Sequence, residues 1–491
     1  MSSDKVQMKK LFLISVLFVF FGFGTQVWAG IGILQWQQNF GDVEGTDGND
    51  IPRDIVFDHE GNVIVVGDEY TGDGDDNKGR NGYAVKYDSN GSMIEDSFWP
   101  IVLDSDVSSG TDRDIIHTVA VDSENNFFLG GYTETDAWSY YDYITSKYDD
   151  NGNLLWSQRD QIDAWNSIID IALDSKENIF AVGYVFQGWS STYYDWVITK
   201  YSNNGTLPNQ WSSPLYYSGP HSDYYVRDYA YGVAIDSFDN IIIAGTHAVS
   251  GVSSENSNRD WLIRKYTNAT TSSIPLLDWN ASYDGPTHTN DSALDVEIDS
   301  NDDIIAVGFL NKGIDNANNI DRDWLIKKYS DSGKVLWTRS FESSPGRDEV
   351  CGEVMVDPYN DNIFVGGYEK NVDGDLKWRL EYLSGKSGTL LWDKVWGMHN
   401  GSIKGMDLKN GRLALTGYVT NSTREWCTEV YELPLMKGDV NGDMVLSLID
   451  ALMSVQVSCD WPTDGEVNGY ADVNGDGRIG LAESVFVLQD L

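Results

Sequence analysis

Two twelve-residue stretches near the C-terminus carry oxygen-bearing side chains at the spacing a calcium ion requires. A calcium loop offers ligands at positions 1, 3, 5, 7, 9 and 12, with glycine at position 6 for the sharp turn. In residues 472–483, Asp472, Asn474 and Asp476 supply side-chain oxygens, Gly477 allows the turn, Arg478 lends its backbone carbonyl and Glu483 a bidentate carboxylate. Gly480 has no side chain, so water is expected at position 9. In residues 439–450 the ligands are Asp439, Asn441, Asp443, Ser447 and Asp450, with the carbonyl of Val445. Met444 replaces the glycine there, and a side chain at that position strains the turn. Asp450 is also shorter than glutamate, so this loop is expected to bind more weakly. Calcium is the one cofactor expected.

No other residue set offers comparable chemistry. The six histidines (His59, His117, His221, His247, His288 and His399) fall in no metal spacing such as His-x-x-x-His, and each reads as structural or solvent-facing. A Gly-x-Ser-x-Gly elbow, a phosphate loop and a zinc-type cysteine cluster are all missing from the sequence. Paired carboxylates could form a hydrolytic site, but with 76 acidic residues such pairs arise by chance. No catalytic residue is assigned. Cys351, Cys427 and Cys459 are too few and too odd in number for a disulfide framework.

The residues before about 435 are organised by an internal repeat. Gly67, Gly131, Gly183, Gly245, Gly308, Gly367 and Gly417 each close a short apolar run, with gaps of 64, 52, 62, 63, 59 and 50 residues. Periods near 50 point to propellers, solenoids or arrays. Every unit repeats four segments. The first ends in an aspartate, as in Asp58, Asp122, Asp174, Asp236, Asp299 and Asp357; the seventh unit has Lys409 instead. A turn follows, then the apolar run, which makes a hairpin. The third segment runs from Asp-Trp to Lys-Tyr, as in 195–201, 260–266 and 323–329. The fourth carries a tryptophan: Trp99, Trp156, Trp211, Trp279, Trp337 or Trp392. Four antiparallel strands make a propeller blade. The last unit lacks its tryptophan strand, while an isolated one, residues 33–37 around Trp36, precedes the first unit. The expectation is that this strand completes the last blade and closes the ring, which removes exposed edges.

This pattern resembles the bacterial seven-bladed beta-propeller repeat family of secreted and surface proteins, over roughly residues 31–433. The resemblance implies an all-β fold and is nearly silent on function. The two calcium loops start 33 residues apart, and each precedes an amphipathic helical stretch (451–457 and 484–491) without a convincing helix in front. Loop-then-helix, twice, resembles a dockerin. That resemblance implies calcium-dependent folding and docking to a cohesin module on a scaffold or cell surface. Loop positions 10 and 11, which in the family help choose the cohesin, are Leu448-Ile449 and Leu481-Ala482.

The formal net charge of −42 argues against nucleic acid, which needs a basic footprint, and disfavours anionic membranes. Lys5, Lys9 and Lys10 precede an apolar run from Leu11 to Phe21, too short to span a bilayer comfortably, and Val27-Trp28-Ala29 places small residues where a signal peptidase reads. The expected organisation is a signal peptide (1–29), a seven-bladed propeller (30–433) and a small α-helical dockerin-like domain (434–491), with no membrane span after cleavage. The expected function is that of a secreted, non-catalytic binding or scaffold protein, its propeller presenting a surface to a glycan or protein ligand. Irregular loops bearing Trp138, Tyr140, Tyr141, Trp189, Tyr193, Tyr194, Tyr224 and Tyr225 are candidates for that surface. The alternative is a polysaccharide-degrading hydrolase or lyase of a dockerin–cohesin system.

Overall fold

Each repeat unit folds into one four-stranded antiparallel sheet in a computed structural model. The structure describes residues 31–40, 49–95 (without 71–78), 98–105, 113–134, 140–159, 165–186, 194–206, 214–219, 227–249, 258–267, 275–314, 320–343, 346–420 and 423–433. Outside these it describes only 26–27, 445–446, 452–454, 456, 479 and 484.

Two units divide the chain: Gly32–Leu433, and Met1–Ile31 with Pro434–Leu491. In the second, Gln26–Val27 pairs antiparallel with Val445–Leu446, and the hydroxyls of Ser454 and Ser484 lie 2.6 Å apart. No helix among the described residues is long and apolar enough to cross a membrane.

The larger unit is a seven-bladed β-propeller. Blades 1 to 5 begin with the strands Ile51–Phe57, Ile115–Val121, Ser167–Leu173, Tyr229–Ile235 and Ser292–Ile298, and each continues outward in chain order. Blade 6 begins with Val350–Val356. The 20-residue strand Leu390–Lys409 is first the outer strand of blade 6 and then, from Gly401, the inner strand of blade 7. Its bend joins the two blades into one seven-stranded sheet. The N-terminal strand Ile33–Phe40 pairs with Arg424–Glu432, placing Trp36 opposite Val430, so blade 7 closes the ring with a strand from the other end of the propeller. Each first strand packs against its two neighbours in an unbroken circuit around the axis.

The repeat residues are consequences of this packing. All seven first strands carry a bulge at one place, where the register jumps, as from Pro52 to Asp54 and from Ile403 to Gly405. The repeat glycine pairs with the residue just before the bulge. There the first strand's carbonyl (Ile51, Ile115, Ser167, Tyr229, Ser292, Val350 or Ser402) comes so close that a Cβ on the glycine would collide with it. The closing aspartates cap the first turn. Asp236 accepts bonds from the backbone of Phe238 and Asn240 and from the Asn240 side chain. They also bind the lysine of Lys-Tyr, with Nζ–Oδ2 distances of 3.0 Å for Lys86–Asp58, 2.7 Å for Lys147–Asp122 and 2.7 Å for Lys265–Asp236. In blade 6 the Tyr382 hydroxyl takes the lysine's role and donates to Asp357 at 3.1 Å.

Tryptophans hold each blade to the next. The fourth-strand indoles of Trp36, Trp156, Trp279 and Trp337 donate to the carbonyls of Ser89, Asn203, Asp331 and Gly385 in the following blade. Their rings lie on the positive-φ glycines Gly91, Gly205, Gly333 and Gly388. The third-strand indoles of Trp196, Trp324, Trp378 and Trp426 are buried and donate to Thr246, Tyr368, Tyr418 and Asp68 of the following blade. Trp99 sits just ahead of its short strand Ile101–Leu103, and Trp211 lies outside the described residues.

Candidate functional site: the mouth of the central channel

The bulges leave one residue per blade unpaired in the ladder. These are Arg53, His117, Ile169, Tyr231, Leu294, Gly352 and Lys404, one from each inner strand at one level of the ring. Bulges re-aim side chains and recur beside functional sites. Here four of the seven, Arg53, His117, Tyr231 and Lys404, are basic or aromatic.

The aromatic part spans blades 2 to 4. His117 lies 5.8 Å from Tyr132, which lies 4.7 Å from Tyr141. Tyr184 meets Tyr194 and Tyr229 edge-on at 5.4 and 5.1 Å, and Tyr229 stacks on Tyr231 at 5.8 Å. Tyr140, Tyr141 and Tyr194, expected from the sequence as loop aromatics, belong to this belt. Trp138, Trp189, Tyr193, Tyr224 and Tyr225 lie outside the described residues.

The basic part spans blades 5 to 7 and blade 1. Arg322 grips Asp348 with two bonds of 2.6 and 2.8 Å and donates to the Tyr368 hydroxyl at 2.9 Å. Arg53 pairs with Asp68 at 2.6 Å, and the Arg424 guanidinium sits 4.8 Å over the Tyr418 ring. Among the described residues, neither Lys404 nor Arg424 has a carboxylate within ion-pair distance. Burial lowers the pKa of Lys404; Glu353 opposes the shift, and the positive fields of Arg53, Arg424 and Arg322 add to it. Burial, reinforced by Arg53, likewise drops His117 well below the usual histidine range, so its imidazole is neutral at physiological pH. Burial pushes the Tyr231 hydroxyl up to about 12.

Behind the mouth the channel is acidic. Asp54, Asp170, Asp295 and Asp407 each accept two backbone N–H bonds, one from the following residue and one from the next blade. The next-blade donors are Val119, Val233, Val354 and Phe57. Burial raises Asp54 and Glu297 to about 7 and Asp170 and Asp407 to about 6, with neighbouring carboxylates adding to the rise for Asp54 and Glu297. Burial first pushes Asp295 and Glu353 well above the carboxylate range, with Asp170 and Glu297 adding to the rise for Asp295 and Asp295 and Asp54 for Glu353. These aspartates staple blades together. Among the described residues, the aromatic and basic set brings two cations lacking an ion-pair carboxylate beside flat rings.

The residues expected to hold calcium (Asp439, Asn441, Asp443, Ser447, Asp450, Asp472, Asn474, Asp476, Arg478 and Glu483) lie outside the described residues; of Val445 only the short strand is described. The mouth escaped the sequence reading because the bulge residues share no residue type. The recurring positions were legible, but which residue the bulge re-aims was not.

Residues 437–482 match the family model for the dockerin type I domain. No curated protein matches the sequence. Among solved structures, the polysaccharide lyase Uly1 is similar at 12% identity and a TM-score of 0.46, covering 80% of this chain and 91% of its own. The periplasmic gluconolactonase PpgL of Pseudomonas aeruginosa is similar at 10% identity and a TM-score of 0.44, covering 70% and 84%. The WD40 beta-propeller domain of Doa1 is similar at 14% identity and a TM-score of 0.44, covering 82% and 97%.

Proposed function

We propose that this is a secreted binding protein that docks through its C-terminal module to a cohesin and presents the mouth of its propeller to an anionic ligand. The dockerin type I match over residues 437–482 carries the attachment half of this reading. The match includes all of the first loop template and most of the second. Calcium held by Asp472, Asn474, Asp476, Arg478 and Glu483, and more weakly by Asp439, Asn441, Asp443, Val445, Ser447 and Asp450, would order the module, because in such loops binding and folding are one event. An anionic glycan suits the mouth best: tyrosine faces accept the apolar faces of sugar rings, and Arg424 and Lys404 are cations free to meet a carboxylate or sulfate.

The attachment half is tested by titrating the full chain onto an immobilised type I cohesin with calcium and with chelator. Calcium-dependent binding, lost in Asp472→Ala and only weakened in Asp439→Ala, is the expected result; binding that ignores the chelator refutes it. The ligand half is tested on a panel of acidic and neutral glycans, where salt-sensitive binding to acidic members, lost in Arg424→Ala, is expected. The enzymatic alternative would give a proton-transfer role to His117, the histidine among the bulge residues. Turnover of a bound glycan, abolished in His117→Ala, would select that alternative.

A further inference from the structure

Successive blades meet at a slot where the third strand of one faces the fourth strand of the blade before it. A position two residues beyond the partner of the repeat glycine fills this slot: Arg264, Lys327, Glu381 and Glu429 in blades 4 to 7. Arg264 stacks on Tyr217 and Lys327 on Tyr283, each at 3.8 Å, while Glu381 accepts from Arg339 at 2.8 Å. Between blades 6 and 7 the filling is of another kind. Cys427 and Glu429 alternate onto one face of the strand Arg424–Glu432 and meet His399 from the outer strand of blade 6.

Three donor atoms of three types converge there. His399 Nε2 lies 2.8 Å from Glu429 Oε1 and 3.8 Å from Cys427 Sγ, and all three atoms lie within 4.8 Å of one another. The second oxygen of Glu429 is fixed by Trp396 Nε1 at 2.9 Å and the Tyr431 hydroxyl at 2.5 Å, which leaves Oε1 aimed at the histidine and thiol. Such outer bonds orient a ligand and tune its basicity. Gln37 Nε2 approaches Cys427 Sγ at 3.5 Å from the ring-closing strand. Lys394 places its ammonium 3.2 Å from the Tyr431 hydroxyl, and the field of Glu425 also reaches the Cys427 thiol. Cys427 and Glu429 are buried, whereas His399 keeps 14% of its side chain exposed and provides a way in for an ion.

We propose that His399, Cys427 and Glu429 form a zinc-class metal site that clamps the ring-closing blade to blade 6. Zinc bonds of about 2.0–2.3 Å to nitrogen, oxygen and sulfur imply tetrahedral ligand separations of roughly 3.3–3.7 Å. The observed spacing reaches these with small side-chain adjustments. One thiolate, one imidazole and one carboxylate match the borderline-soft preference of zinc and poorly match calcium. The thiol proton leaves to solvent as the metal binds, and a three-residue set leaves the fourth position to water.

The test uses the full chain, stripped with chelator, resupplied with calcium to occupy the C-terminal loops, and titrated with cobalt(II). One equivalent giving a thiolate-to-cobalt charge-transfer band, displaced by zinc and absent in Cys427→Ser, is the expected result. Cys351 and Cys459 are retained in that variant and so control for the other two thiols. No band in the parent chain, or an unchanged band in Cys427→Ser, overturns the site. Glu429→Gln gives a second arm should Cys427→Ser not fold. Cobalt binding weakened by at least about ten-fold supports the site, as expected when a ligand set is damaged, and unchanged affinity overturns it.

Discussion

Lys265 sits between two carboxylates of very different burial, and this lets one lysine report what the aspartate of the repeat contributes. Its side chain is 2% exposed and pairs with Asp236 of its own blade at 2.7 Å and with Asp331 of the next. Asp236 is fully buried, whereas Asp331 is 56% exposed. Burial alone would raise the Asp236 carboxyl, yet the bonds from Lys265 and Asn240 hold it below the usual range. Breaking a buried pair from one side costs about 3–5 kcal/mol, because the partner's charge is left uncompensated. Asp331 still covers part of the ammonium, so about 3 kcal/mol is expected for Asp236→Asn. An exposed pair contributes roughly 0–1 kcal/mol, so Asp331→Asn should fall below about 1 kcal/mol. The sign with pH follows from the depressed carboxyl. Its contribution is present above the unfolded pKa of about 3.9 and is lost as pH falls through the folded value. The parent chain and Asp236→Asn should therefore converge in stability as pH falls below the unfolded value. Urea unfolding followed by tryptophan fluorescence measures this, since all of the tryptophans except Trp28 and Trp461 lie within residues 30–433. Equal losses for the two variants, or a larger loss for Asp331→Asn, would refute the argument that burial sets the weight of the pair.

Two further outcomes follow from the inner strands. Gly245→Ala should destabilise by about 1–3 kcal/mol, the cost of overpacking, because its Cβ would meet the carbonyl of Tyr229 and lie 2.7 Å from Trp196 Cζ2. Trp196→Phe should fail to rescue it in urea unfolding, because the backbone clash remains. The channel carboxylates give the opposite pH sign to Asp236. With Asp54 and Glu297 raised to about 7 and Asp170 and Asp407 to about 6, their contribution is present below about pH 4 and lost as pH rises through 6–7. Each proton retained only by the folded state lowers stability by about 1.4 kcal/mol per pH unit. The urea midpoint should therefore fall between pH 5 and 8, and Asp54→Asn should flatten that fall; a midpoint that rises over this range would contradict the raised values.

How far the sequence carried depends on what repeats. Gly-aromatic, Asp-Trp, Lys-Tyr and the lone Trp36 strand mark positions where every blade meets the same neighbour, so the ring and its closure were legible from spacing alone. Spacing along the chain does not show which face the fourth-strand tryptophan takes. A bulge lies beside that tryptophan: Leu155, Asp278, Leu336 and Gln35 are skipped in the ladder, so parity along the chain does not decide the face. The same device hid the mouth. Arg53, His117, Tyr231 and Lys404 share a backbone position and nothing else, and a reading built on residue identity passes over them.

The His399, Cys427 and Glu429 cluster was invisible for a related reason. Metal spacings such as His-x-x-x-His assume ligands on one element, whereas here the histidine comes from one blade and the other two from the next, 28 residues on. Glu429 and Cys427 are two apart, which on a strand puts both on one face, and that was the one available signal. It became meaningful only against Arg264, Lys327 and Glu381, which fill the equivalent slot in blades 4 to 6 with ring stacking or an ion pair. In a repeat protein, conserved positions describe the scaffold, and function is best sought where one unit departs from its siblings at a position the fold holds constant. Both the mouth and the inter-blade cluster are departures of that kind.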